Sequence, residues 1–248
     1  MYGTASRWLL LGLIGWGGCN AEKTAFSGPP VAAMPDTTLN TLTPAEQAQG
    51  WELLFDGQTA AAWRGFRQDA LPEAWQVEAG TLALVPGRGE GGDIITKQLY
   101  ARFELRLEWC LEPGGNSGLF FHVSEDHDRI WHTGPEMQVL DDAGHRDGLL
   151  PTHRAGANYD LHPPSVDATR PVGQWNEVRL LVDSPHVEHW LNGQKIVEYE
   201  LWSDDWNARV ATSKFAAHPD YGRKGTGHIA LQDHGDRVWY RNIRIRRL

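Results

Sequence analysis

The chain has 248 residues, is 41% hydrophobic and carries a net charge of −9. That acidity excludes nucleic acid as a partner, because a polyphosphate needs a basic stripe that displaces its counterions, and it favours neutral or cationic ligands. Two cysteines, with no paired spacing, exclude a zinc ribbon and a disulfide framework.

Residues 1–19 run from Arg7 through an apolar segment, Trp8 to Gly18, to Cys19. The segment is too short to span a bilayer and has the form of an export signal. Gly17-Gly18-Cys19 resembles a bacterial lipoprotein cleavage site, although Trp16 stands where leucine is usual. We expect an exported protein held in the periplasm or on the cell envelope by a lipid on Cys19, which would be its contact with a membrane. Ordinary secretion is the alternative. Cys110 is then a free thiol. Residues 20–42, rich in Ala, Pro, Thr and Ser without periodicity, read as a flexible tether.

A single domain is expected over 43–248. Thr43-Pro44-Ala45-Glu46 has the pattern of a capping box with proline at the first helical position, so a short helix is predicted over Pro44 to Gln49. Strands follow at Trp51 to Phe55, Trp75 to Glu78 and Thr81 to Leu84, the last two hinged on Ala79-Gly80. The glycine-rich run Pro86 to Gly92 leads into a strand, Asp93 to Thr96. It lacks the strand–Gly–Lys–helix setting of a phosphate loop, so no nucleotide cofactor is expected. Tyr100 to Leu111 alternates, with Phe103, Leu105, Leu107 and Trp109 inward and Glu104, Arg106 and Glu108 on a wet face. Leu119 to Val123 and Glu136 to Leu140 come next, then an irregular segment, Arg146 to Pro171, with the length of a functional loop or lid. Trp175 to Val182, Val187 to Leu191 and Lys195 to Leu201 form a meander around Asn192-Gly193, a type I′ hairpin signal. Ser203 caps a second short helix ending near Ser213, and strands at Gly227 to Gln232 and Val238 to Ile245 close the chain. About a dozen short strands without βαβ alternation predict an all-β sandwich.

The most informative stretch is Gly134 to Gly148, GPEMQVLDDAGHRDG. Alternation puts Glu136 and Gln138 on one face and Met137 and Val139 on the other. Polar side chains facing out of a strand in such a sheet suggest a binding surface. Asp141, Asp142 and His145 continue from that strand, as Gln232, Asp233 and His234 continue from His228 to Leu231. If the two strands are neighbours, acids and imidazoles meet at one rim. Each histidine also has a bland reading as a hydrogen-bonded structural residue, and Asp142 and Asp147 one as solvated turn residues. The 12 tryptophans are mostly core, with one or two available to stack on a sugar.

The series FDG, GDIITK, FELRLEW, GGNSGLFF, GPEMQVLDD, AGANYDL, WNEVRL, VEHWLNG, SKF and GHIALQDHG, in that order from Phe55 to Gly235, resembles the 3-keto-disaccharide hydrolase family, also described as 3-keto-glucoside 1,2-lyase and hydratase. The resemblance covers most of Trp51 to Leu248. Cys110 departs from it, standing where a basic residue is expected. The family implies a concanavalin A-like jelly-roll sandwich and cleavage of a sugar bearing a ketone at C3. The ketone acidifies the C2 proton, a base removes it, the C1 substituent leaves by β-elimination, and water adds back. Such a site needs a base near C2, an electrophile at the ketone oxygen and an acid at the leaving oxygen.

The roles implied are Glu136 or His145 as base, with Asp141 orienting the imidazole, and Lys214 on the enolate or the leaving group. Asn116, Gln138, Tyr159, His228 and Gln232 are candidates for sugar contacts. A divalent metal held by Glu136 and His234 is a further option for the enolate. No oxidoreductase signature is present, so a separate sugar 3-dehydrogenase is the expected partner upstream. A non-catalytic carbohydrate-binding module is the alternative. An ordinary glycoside hydrolase is the third reading, disfavoured because the ExDxxE pattern of sandwich glucanases is missing.

Overall fold

The computed structural model describes residues 39–248; the expected export signal, Cys19 and most of the expected tether lie outside the described residues. The first helix, α1 (Pro44–Ala48), forms as its sequence predicts: the Thr43 hydroxyl accepts from the Glu46 amide at 3.2 Å while Glu46 accepts from the Thr43 amide at 2.8 Å.

Thirteen strands follow, namely β1 (Trp51–Leu53), β2 (Trp63–Gly65), β3 (Trp75–Glu78), β4 (Thr81–Leu84), β5 (Ile94–Thr96), β6 (Phe103–Leu111) and β7 (Asn116–Val123). Next come β8 (Glu136–Leu140), β9 (Asn176–Asp183), β10 (His186–Leu191) and β11 (Gln194–Glu200), helix α2 (Asp204–Thr212), then β12 (His228–Leu231) and β13 (Val238–Arg247). Eight make one sheet, ordered β11-β10-β9-β6-β13-β4-β3, with β1 also paired to β13; five make the other, ordered β2-β5-β12-β7-β8. The Asn192-Gly193 turn has φ of 50° and 80°, both left-handed, as a type I′ turn requires.

The two sheets bury their facing sides against each other. Leu105, Leu180 and Ile245 form one cross-strand row of the larger sheet. They meet Leu119, Phe121, Met137, Val139, Ile229 and Leu231 from the smaller one. Each such side chain contributes roughly 1.5–3 kcal/mol on burial.

Two expectations change. The outer face of β6 is wet only in part: Arg106 and Glu108 are half-buried, while Glu104 is 2% exposed, bonded to Arg106, Arg179 and Arg246 at 2.7, 2.8 and 2.6 Å. Burial by itself would raise the Glu104 pKa, but the three guanidiniums together hold it below its ordinary value. Cys110 points outward as alternation requires and is a free thiol buried under Trp239 and Trp175 beside Ala83, where burial pushes it up to about 11. Strand β2 was not anticipated, because three residues between turns carry no period; it is pinned by the Trp63 indole donating to the Leu54 carbonyl at 2.7 Å.

Candidate active site

The side of the smaller sheet turned away from the core carries the polar residues. On β8, Met137 and Val139 enter the core, which leaves Glu136 and Gln138 on the outer side. On β12, β7 and β5 the same alternation puts Ala230, Phe120, Gly118 and Ile95 outward, with Asp93 in line with Ile95. Strand β7 stands between β8 and β12, so the two polar strands share a face without being neighbours, contrary to the sequence expectation. Gly118 pairs with Gln138 on one side, and on the other its carbonyl accepts from the Gln232 amide at 3.0 Å. Gly118 is therefore a floor without a side chain at the middle of the face, and the Glu136 carboxyl and the Phe120 ring close over it.

Glu136 leans over that floor. A Cβ added at Gly118 would sit 2.3 Å from Glu136 Oε1, so glycine is what leaves the carboxyl its place. Glu136 is 4% exposed, and its carboxyl makes no hydrogen bond among the described residues. Burial, reinforced by the Asp93 and Asp147 charges and opposed by Lys214, raises its pKa to about 8. Burial thus favours the protonated acid over the carboxylate.

Lys214 opens the turn Lys214–Ala217, where Ser213 caps the Phe215 amide at 3.1 Å and Asp160 accepts from the Lys214 amide at 2.8 Å. Its ammonium lies over the Tyr159 ring at 4.0 Å, with Phe215 and Trp131 at 5.1 and 5.6 Å. The residue is exposed at the mouth of the site, but the rings displace enough water around Nζ to lower its pKa, against the pull of Glu136, Asp160 and Asp147.

Tyr159 is held by its amide donating to the Glu136 carbonyl at 3.0 Å and its hydroxyl donating to Asp147 Oδ2 at 3.1 Å. His153 stacks on the Tyr159 ring at 4.2 Å and bonds Asp160 at 3.1 Å. The segment expected as a lid thus forms, in its first part, a wall of the site. It reaches β8 through the Gly156 amide on the Gln138 carbonyl and the Gln138 amide on the Ala157 carbonyl.

Other expected residues are placed differently. His145 Nδ1 accepts from the Asp147 amide at 3.1 Å, and its ring meets His234 edge-on at 6.0 Å. Asp141 does not orient that imidazole: its carboxylate accepts from the Gly114 and Ala143 amides at 2.7 and 3.2 Å and shapes the turn. Gln138 is 1% exposed, and its side-chain oxygen accepts from the Val139 amide at 3.2 Å. His228 is held through Nδ1 by the Thr96 carbonyl at 2.7 Å, with Nε2 3.9 Å from Glu125, the partner of Arg64. Asn116 keeps a buried Oδ1 without a partner on the polar face. Gln232 follows β12 at the edge of the floor.

Three residues of the site escaped sequence reading. Asp147, taken for a turn acid, anchors Tyr159. Trp131 is half-buried against both apolar clusters. Asp93 carries a pKa raised to about 6, chiefly by burial, and Oδ1 accepts from the Asp233 amide at 2.9 Å. Its position one residue before a strand, in phase with Ile95, was the available signal.

Among the described residues the group able to gather three metal ligands is His186, Glu188 and Glu198, on β10 and β11 of the other sheet. Its carboxylates already accept from Lys195 and Arg179. No third ligand joins Glu136 and His234 there, so no step is derived through a metal at that pair.

Residues 50–246 match the family model described as a 3-keto-alpha-glucoside-1,2-lyase-like domain. A 3-keto-disaccharide hydrolase from Bacteroides thetaiotaomicron is 34% identical over 228 residues, spanning 80% of this chain and 79% of that protein. A crystal structure from Parabacteroides distasonis, named as a candidate glycosyl hydrolase, superposes with a TM-score of 0.79 at 35% identity over 85% of this chain and 99% of that one. A second from the same organism, named likewise, gives 0.63 at 27% identity over 80% and 99%.

Proposed function

The chain belongs to the 3-keto-alpha-glucoside-1,2-lyase-like family, and on that premise we propose that it cleaves 3-keto-glycosides, 3-keto-disaccharides among them. The observation that carries this reading is a buried, unbonded Glu136 above the Gly118 floor, with the Lys214 ammonium caged nearby. A sugar bound against this face beside Lys214 brings C2 to Glu136. Proton transfer by a positioned carboxyl contributes ~10²–10⁴-fold. Glu136 removes the C2 proton once it has given up its own, and returns a proton to the departing C1 oxygen. Lys214 supplies positive charge where the ketone oxygen becomes an enolate. Asn116, with its unpartnered oxygen, and Gln232 and Tyr159 at the margin are the sugar contacts. His145, whose Nδ1 accepts from the Asp147 amide, carries its proton on Nε2 in the neutral ring, which makes it a candidate donor to the leaving oxygen rather than the base.

The ketone is supplied by a separate sugar 3-dehydrogenase, and the protein works outside the cytoplasm, anchored through Cys19. The test is a pair of substrates, a glucoside and its 3-keto form, with and without chelator. Cleavage of the keto form alone supports the proposal. Binding without turnover of either supports a carbohydrate-binding module, and cleavage of the unoxidised sugar an ordinary hydrolase. Loss of activity to chelator would assign the electrophile role to a divalent ion.

A further inference from the structure

We propose that Lys214 is a covalent catalyst: Nζ condenses with the C3 ketone of the substrate, and the iminium so formed is what acidifies C2. The proposal rests on the 3-keto reading above. Its first support is the setting of Nζ, which has no hydrogen-bond acceptor and no carboxylate within 4.0 Å among the described residues, although acids surround the site. Two other described lysines are tied to acids, Lys195 to Glu198 at 2.5 Å and Lys224 to Asp126 at 2.8 Å, which raises their pKa values. Lys214 is shifted the other way, by loss of water. A desolvated amine free of salt bridges is a nucleophile.

The second support is the pairing with Glu136. Attack on a ketone needs a neutral amine and a proton donor for the carbonyl oxygen, and a neutral carboxyl buried beside the lysine meets the second need. The third is the cage itself. The rings of Tyr159, Phe215 and Trp131 that crowd an ammonium suit an iminium, whose positive charge they stabilise.

The protons balance around one carboxyl. Nζ attacks C3, and Glu136 protonates the oxygen. That oxygen takes a second proton from the nitrogen and leaves as water, which gives the iminium and the Glu136 carboxylate. The carboxylate removes the C2 proton and an enamine forms. The C1–oxygen bond breaks as the enamine electrons move to C1, and Glu136 returns its proton to the leaving oxygen. Water then adds at C1 with the proton passing through Glu136 to C2. A second water hydrolyses the iminium, which restores the ketone, the amine and the protonated acid. One water is consumed overall, as hydrolysis demands.

The full chain incubated with a 3-keto-disaccharide and sodium cyanoborohydride is the test, read by intact mass and peptide mapping. Expected is one adduct, on Lys214, heavier by the substrate or the released keto-sugar less one oxygen, and none with the unoxidised disaccharide. Lys214→Arg keeps the charge and should lose both the adduct and at least ~100-fold in turnover. Normal cleavage of the keto substrate with no adduct, or with adducts on Lys97, Lys195 and Lys224 but not Lys214, overturns the covalent step and leaves the keto reading standing. An enzyme that does not turn over the keto substrate at all overturns both. The wild-type trapping result decides even if the variant fails to fold.

Discussion

Gly118→Ala is the sharpest single test of the site geometry. The new Cβ would stand 2.3 Å from Glu136 Oε1, 3.0 Å from Glu136 Cδ and 2.7 Å from Phe120 Cε2. Ordinary non-bonded contact lies at about 3.5 Å, so the carboxyl must retreat by roughly 1 Å or the strands must part. A catalytic group misplaced by about 1 Å costs about 10²-fold in rate. Overpacking in a filled site costs about 1–3 kcal/mol, or roughly 2–4 °C in Tm per kcal/mol for a chain of this size. Backbone strain does not enter, because Gly118 lies within β7 outside the left-handed region. With room to spare, alanine there would instead stabilise by about 0.4–1 kcal/mol. The assay is kcat on a 3-keto-disaccharide alongside thermal unfolding, with Gly225→Ala, which meets nothing within 4 Å, as the control. A Gly118→Ala enzyme with wild-type kcat and a raised Tm would show that Glu136 does not work from this position.

Three further outcomes are expected. Because the Glu136 pKa rises from 4.5 to about 8 on folding, its contribution to stability is complete below about pH 4.5 and is lost as pH climbs through 8; Glu136→Gln should abolish that loss, gaining ~2–4 kcal/mol over wild type between pH 5 and 8.5 in denaturant melts, while turnover falls ~10²-fold or more. Equal pH dependence in both proteins would contradict the buried setting. Asp93→Asn removes a charge that raises the Glu136 pKa, so the limb of the pH–rate profile that Glu136 sets should move down by roughly 0.3–1 unit; an upward or absent shift counts against their coupling. Glu104→Gln leaves three guanidiniums facing a neutral amide and should cost about 3 kcal/mol or more in urea unfolding with kcat unchanged.

The fold was legible because its strands alternate and its turns carry their signals: Asn192-Gly193 and Ala79-Gly80 fix two hairpins from local chemistry alone. Sheet order was not, since nothing local says that β7 separates β8 from β12. The same division runs through the site. Glu136 stood out as an acid in a strand just after Gly-Pro. The cage around Lys214 did not, because Trp131, Tyr159 and Phe215 come from three separate segments and meet only through tertiary packing. Asp147 looked like any turn acid, and only the fold shows the tyrosine hydroxyl that it accepts from.

Strand β13 comes after every other strand in sequence, yet it lies inside the larger sheet, between β6 and β4, and carries β1 on the same ladder. Until residues 238–247 emerge, β1 and the β3–β4 hairpin have no strand to join them to the sheet, and Leu105 lacks its neighbour Ile245 on one side. The sandwich therefore closes only after synthesis of this strand, by a late insertion rather than by growth from the first hairpin. A chain built this way leaves its larger sheet open for as long as β13 is withheld.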